Sequence, residues 1–124
     1  MQNLALIALA GALGTASRYG VSMAAQRLAG PNFPLGTMVV NLFGALAFGL
    51  VFGLTEERLG LPAQTKLVVL TGFFGAFTTF STYMFESLAL LRNGQWWLAG
   101  MNIGGQTVLG LAAVLAGLRL ARLL

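Results

Sequence analysis

The chain lacks most of the side chains on which enzyme active sites run. Its 124 residues include no cysteine and no histidine, and its three acidic residues are all glutamate. Without cysteine there are no disulfides and no thiolate metal sites, although the redox compartment stays open. Without histidine or aspartate the usual zinc sites, catalytic triads and carboxylate pairs are excluded. Charge is also scarce. Only 8% of the residues are charged, against about a quarter in a soluble domain. Hydrophobic residues make up 57%, which marks a membrane protein built as one domain over 1–124. The net charge of +4 comes from basic residues scattered over loops and ends. They form no patch, so no nucleic-acid partner is expected. The N-terminus has no basic leader and no small-residue cleavage site, so we read it as a retained first span.

What is present is apolar and interrupted at regular intervals. A hydrocarbon core of about 30 Å needs about 20 apolar residues in a helix. Four stretches qualify, at roughly 4–28, 35–54, 65–92 and 96–118. Prolines at Pro31 and Pro34 close the first, since each disfavours helix at the residue before it. The polar run from Thr55 to Gln64 separates the second from the third, and Glu56 and Glu57 are expected there as solvated loop charges. Trp96 and Trp97 mark a membrane interface before the fourth. Short loops make successive spans antiparallel neighbours. Arg58, Lys66, Arg119 and Arg122 then fall on one side of the membrane, Arg27 and Arg92 on the other. This bias is too weak to fix one orientation. Gly49 with Gly53, and Gly100 with Gly104, are spaced to let helices approach closely. Four short helices enclose little space, so a homo-oligomer is expected.

The third span is the unusual one. As a single straight helix it would be about 42 Å long, more than the hydrocarbon thickness. Near its middle, Gly72 and Gly75 precede Thr78, Thr79, Ser81 and Thr82. Glycine relaxes the helical preference, and hydroxyls re-satisfy backbone groups that a break exposes. Broken backbone at membrane depth survives only inside protein or along an aqueous path, so this stretch predicts a broken helix that builds a site.

Other polar residues lie at membrane depth. Thr37 and Asn41 share a face of the second span, one turn apart. Phe80, Tyr83 and Glu86 form a stripe on the third, with Glu86 toward a membrane surface. Asn102 and Gln106 are four apart on the fourth. Arg18 is the one basic residue well inside a span; placing it there costs about 2.5–3.5 kcal/mol unless it faces protein or water. Each has a bland reading as helix packing, interhelical hydrogen bonding or snorkelling. Together they supply amide and hydroxyl donors and aromatic ring edges, which carry partial positive charge. There is no ring of acids for a cation and no ionisable pair for coupling. A narrow path for passive conduction of a small anion fits this inventory.

The chain resembles the Fluc (CrcB) fluoride channels over essentially its whole length. The resemblance rests on Gly11-Ala-Leu-Gly14 with Arg18-Tyr19, on Gly36-Thr-Met-Val-Val-Asn41 and, most specifically, on Gly72-Phe-Phe-Gly-Ala-Phe-Thr-Thr-Phe-Ser-Thr-Tyr83. It implies an all-α, multi-pass plasma-membrane protein with four transmembrane helices, the third broken, assembled as an antiparallel dual-topology homodimer with two pores. It implies passive fluoride export and hence fluoride resistance, and no enzymatic activity. A structural sodium ion at the dimer centre is implied, held by backbone carbonyls of Gly75 and Thr78. Asn41, Phe80 and Tyr83 would line the fluoride pore with Thr37, Ser81, Thr82, Asn102 and Gln106. Glu86 and Arg18 would stand at its mouth or vestibule. Tyr83 departs from the family, which has a second phenylalanine there. Two other classes were weighed. A small multidrug-type proton-coupled transporter needs a carboxylate in its first span, and this span has Arg18 and no acid. A non-transporting scaffold leaves the hydroxyl-rich break without a purpose.

Overall fold

Helix ends in this chain fall where the backbone turns left-handed. Gly30 and Gly94 both have φ of 71°, a conformation that favours glycine. After the third span, the Gly94 amide donates to the Leu91 carbonyl (3.1 Å) and the Gln95 amide to that of Leu90 (2.9 Å). This pairing satisfies the last carbonyls of the helix and reverses the chain. Our computed structural model describes residues 2–57 and 60–124. The helices are α1 (Gln2–Ala29), α2 (Leu35–Glu57), α3 (Ala63–Lys66), α4 (Gly75–Phe77), α5 (Phe80–Arg92) and α6 (Trp96–Leu123), with a π-helical stretch, Leu67–Phe74, joining α3 to α4. Among the described residues, four segments are long and apolar enough to cross a membrane: α1, α2, the composite Ala63–Arg92 and α6.

The spans are the expected ones, with two corrections. The second helix continues through Thr55 and Glu56 to Glu57, so the loop begins later than its polarity suggested. Glu56 is not simply solvated: it pairs with Lys66 at 2.7 Å and ties the end of α2 to the start of the third span. Arg58 lies outside the described residues, as does the Glu57 side chain. The sequence also gave no sign of the π-helical stretch. There the ladder slips by one residue, and the Gly75 amide donates to the Leu70 carbonyl. Such slips are rare and gather at functional sites.

Small residues set the packing. α2 packs most extensively against α6. A Cβ on Gly49 would collide with the Val114 carbonyl, one on Gly117 with that of Leu46, and one on Gly53 would lie 2.6 Å from the Ala121 Cβ. The 49/53 pair therefore serves a contact within the chain. The Gly100/Gly104 pair has nothing within 4 Å of either position, so this face of α6 is left open. On the other side, α1 lies against the π-helical stretch, and a Cβ on Gly14 would strike the Phe73 carbonyl. Gln26 clamps the α1–α2 connection. Its Nε2 donates to the carbonyls of Gly30 (2.6 Å) and Phe33 (2.8 Å), and its Oε1 accepts from the Gly36 amide (3.0 Å).

The geometry separates structural glycines from tolerant ones. Gly49→Leu should destabilise the folded chain by about 1–3 kcal/mol, the usual penalty of overpacking. Gly20→Ala, where nothing lies within 4 Å, should be neutral or stabilise by up to about 1 kcal/mol through helix propensity. Chemical unfolding in detergent micelles measures both.

Candidate functional site: the broken third span

The break is two residues long and is held by one side chain. α4 ends at Phe77, Thr78 is extended (φ −82°, ψ 158°) and Thr79 is extended again (φ −145°, ψ 114°) before α5 begins. Breaking a helix strands amides and carbonyls, and in hydrocarbon they need partners. Asn41 supplies them. Its Oδ1 accepts from the Thr79 amide at 2.8 Å, and its Nδ2 donates to the Thr79 carbonyl at 3.1 Å. The side chain thus imitates a backbone partner for Thr79 on both edges. Thr79 also caps α5, its hydroxyl oxygen accepting from the Thr82 amide at 3.4 Å. Thr78 closes the other side by donating its hydroxyl to the Phe74 carbonyl at 3.0 Å. Gly44, one turn after Asn41, leaves room for Thr78: a Cβ there would meet the Thr78 methyl.

The carbonyls of Gly75, Ala76, Phe77 and Thr78 all lose their helical partners at the break, and for Gly75 and Thr78 the diverted amide is visible. In a continuous helix the Gly75 carbonyl would accept from the Thr79 amide, which here bonds Asn41. The Thr78 carbonyl would accept from the Thr82 amide, which here bonds Thr79 Oγ1. Both therefore have lone pairs that the third span does not use. Gly75 is solvent-exposed in the single chain.

Cavities lie on both sides of the break. One of about 390 Å³ is bordered by Asn41, Thr79, Phe80, Tyr83, Gln106 and Thr107, among others. Within it the Phe80 and Tyr83 rings meet edge to face, with centroids 5.9 Å apart at 65°. Phe80 is 73% exposed and Tyr83 only 7%, so their shared stripe runs from an open face to the interior. The Tyr83 hydroxyl donates to the Ile103 carbonyl (3.1 Å) and lies 3.3 Å from Thr107 Oγ1. It is fastened to α6 and does not point at the break. A second cavity, of about 370 Å³, is bordered by Thr15, Arg18, Ser22, Thr37, Thr79 and Thr82. Thr79 borders both cavities. Arg18 is half-buried there, facing protein hydroxyls. The Thr79 hydroxyl donates to Thr82 Oγ1 at 3.0 Å, which leaves the Thr82 hydroxyl hydrogen available to the Arg18 cavity. A third cavity, of about 520 Å³, adjoins at Ser22 and Met23 and is bordered by Gln26, Glu86, Asn93 and Gln95.

The remaining expected residues take different places. Thr37 is buried and donates its hydroxyl to Glu86 Oε1 at 2.7 Å. Glu86 Oε2 is buried with no partner among the described residues. Ser81 is exposed beside Phe80. Gln106 borders the aromatic cavity, and its Oε1 accepts from Asn41 Nδ2 at 2.7 Å. Asn102 is fully buried, between Gln106 and Ser87 and behind the cavity wall. The sequence carried no expectation for Thr107 or Ser87, and named Thr79 only within the hydroxyl cluster of the break. Thr107 sits beside Gln106 at the cavity, Ser87 ends the polar chain inside, and Thr79 is the residue Asn41 grips. Thr79 had a signal, as a helix-capping threonine three residues before Thr82; Ser87 and Thr107 had none beyond being polar at membrane depth.

Asn41 is thus predicted to hold the break. Asn41→Ala should speed hydrogen exchange at the Thr79 amide by at least about tenfold, the equivalent of one buried hydrogen bond. Exchange followed by mass spectrometry over 71–83 checks this.

A family model described as CrcB-like protein, Camphor Resistance (CrcB), matches residues 5–118. The chain is 55% identical to a protein named fluoride-specific ion channel FluC from Maridesulfovibrio salexigens, covering 100% of this chain and 98% of the relative. It is 52% identical to one of the same name from Nitratidesulfovibrio vulgaris, over 99% of each. A relative of that name from Chloroflexus aurantiacus is 42% identical, over 98% of this chain and 97% of its own. With four apolar spans, a third span broken as described and relatives matched end to end, the chain belongs to the CrcB family of multi-pass membrane proteins.

Proposed function

We propose that this chain is a fluoride-selective passive channel of the plasma membrane that exports fluoride and so gives fluoride resistance. The relatives' printed name supports this reading. The observation that carries it is the broken span with cavities on both sides. Its walls offer hydroxyls, amides and ring edges where a coupled transporter would need ionisable pairs. Fluoride is small and tightly hydrated, so it sheds water only where several donors come close together. Uncharged donors attract it without the long dwell that a buried lysine would impose. Arg18 draws anions into the hydroxyl-lined vestibule, where Thr82 offers its free hydroxyl hydrogen. Asn41 passes them by Thr79 to the aromatic cavity, where the Phe80 and Tyr83 edges and Gln106 receive them. Thr37 holds Glu86 at the mouth, Ser81 faces outward beside Phe80, and Asn102 backs Gln106 from inside.

The working unit is an antiparallel, dual-topology homodimer. Phe80 and Phe85 are each 73% exposed; Gly75 and Ser81 of the same span are exposed too, as are Gly100 and Gly104 on α6. A second copy would cover such hydroxyls, glycines and aromatic rings better than lipid would. The weak charge bias permits both orientations. Sodium suits the centre of that dimer, because hard cations take oxygen ligands. The Gly75 and Thr78 carbonyls, deprived of helical partners by the Asn41 and Thr79 bonds, are the fitting donors. When bound, the ion would neutralise those carbonyls and fasten the two breaks together.

Proteoliposomes loaded with fluoride test the function, with chloride-loaded vesicles as control. The wild-type chain should empty fluoride and retain chloride; retention of both would refute the proposal. Asn41→Asp should abolish fluoride efflux, because a fixed negative charge would then face the anion. Phe80→Ile should slow efflux while the dimer persists on size-exclusion chromatography.

A further inference from the structure

The polar side chains behind the break form a ladder with a single sense. Asn41 Nδ2 donates to Gln106 Oε1 (2.7 Å), and Gln106 Nε2 donates to Asn102 Oδ1 (2.8 Å). Asn102 Nδ2 donates to Ser87 Oγ (2.9 Å), and the Ser87 hydroxyl donates to the Tyr83 carbonyl (2.7 Å). Gln106 therefore turns its oxygen toward Asn41 and its nitrogen inward. It borders the cavity as an acceptor, which is the wrong polarity for an anion. Asn41 has both amide hydrogens committed, one to Gln106 and one to the Thr79 carbonyl.

The same groups sustain the opposite sense. The oxygen and nitrogen of a carboxamide are close in size, so a half-turn of the terminal torsion exchanges them without moving the carbon frame. The Ser87 hydroxyl can rotate to donate to Asn102, and Asn102 can donate to Gln106. Gln106 Nε2 then faces the cavity beside Asn41 Nδ2. Each inner group keeps a partner. Only the Tyr83 carbonyl gives up a side-chain bond, and it lies inside α5. Without an anion, the reversed ladder would set two NH2 groups against each other where the 2.7 Å contact now lies. An anion entering from the cavity draws the two side chains apart, and both donate to it. The neighbouring hydroxyls do not compete, since Tyr83 and Thr107 both bond the Ile103 carbonyl. The other end of Asn41 stays anchored, because the Thr79 amide fixes its Oδ1.

We infer that the ladder reverses when a small anion reaches Asn41, assembling a two-amide binding site from Asn41 Nδ2 and Gln106 Nε2. Asn102 is a positioning residue in this scheme: it never touches the anion, yet its orientation decides what Gln106 presents. The inference rests on the fluoride-channel reading and deepens it.

The test follows the side-chain NH2 resonances of uniformly 15N-labelled full-length protein in lipid nanodiscs, with sodium fluoride or sodium chloride added. Gln106→Glu and Asn102→Asp assign the signals by their loss. Fluoride should shift the Gln106 and Asn102 resonances together, with one half-saturation; chloride should move neither. Asn102→Asp accepts only, so it pins the Gln106 nitrogen inward. It should raise the half-saturating fluoride for efflux about tenfold, the loss of one charge-assisted hydrogen bond, with a smaller change in maximal rate. If saturating fluoride leaves both resonances unmoved in protein that conducts fluoride, the reversal is refuted and the channel reading stands. If the protein conducts no fluoride, the channel reading falls and takes the inference with it.

Discussion

Everything distinctive about this fold depends on the bond from the Thr79 amide to Asn41 Oδ1. A helix interrupted in hydrocarbon exposes polar backbone, each group of which costs several kcal/mol if unpaired. Asn41 removes that penalty at Thr79 and fixes α4 and α5 at an offset. The offset then creates the rest. It frees the Gly75 and Thr78 carbonyls and leaves a cavity on each side of Thr79. An apolar residue at 41 would leave the Thr79 amide without its acceptor, and the span would tend to close into a continuous helix with that amide on the Gly75 carbonyl.

The surrounding helices are built to deliver Asn41 to that point. Gly49 and Gly117 draw α2 and α6 together until backbone nearly meets backbone. This brings Gln106 within reach of Asn41. Gly14 lets α1 lie on the π-helical stretch, where the slipped ladder shifts the register of the residues that follow. The Gln26 clamp shortens the path from α1 to α2, and the Glu56–Lys66 pair closes the opposite end. Each contact is ordinary in size. Their common effect is to hold a broken span between packed neighbours.

Much of this was legible in the sequence, for reasons that can be named. The four spans follow from length and apolarity. The break follows from four hydroxyls and two glycines in a stretch too long for the bilayer, and it falls at Thr78 and Thr79 as that cluster suggests. Asn41 stood out because an amide at mid-span must find a partner. The extension of α2 through Glu57 was not legible, because polar residues at a helix end read as loop until Lys66 is seen to pair with Glu56. The π-helical stretch was hidden too, since periodicity over the mostly apolar Leu67–Phe74 cannot tell a slipped ladder from a regular one. The direction of the Asn41–Gln106–Asn102–Ser87 ladder was equally out of reach: residue types show that amides are present, and only coordinates show which atom of each faces which.

Uncharged dipoles around one interruption are to conduct a halide without a coupled ion. A planar bilayer with fluoride on one side and an equal concentration of chloride on the other tests this most directly. The reversal potential should follow the fluoride gradient alone and stay put when a pH difference is imposed. A reversal near zero, or one that moves with the pH difference, would contradict it.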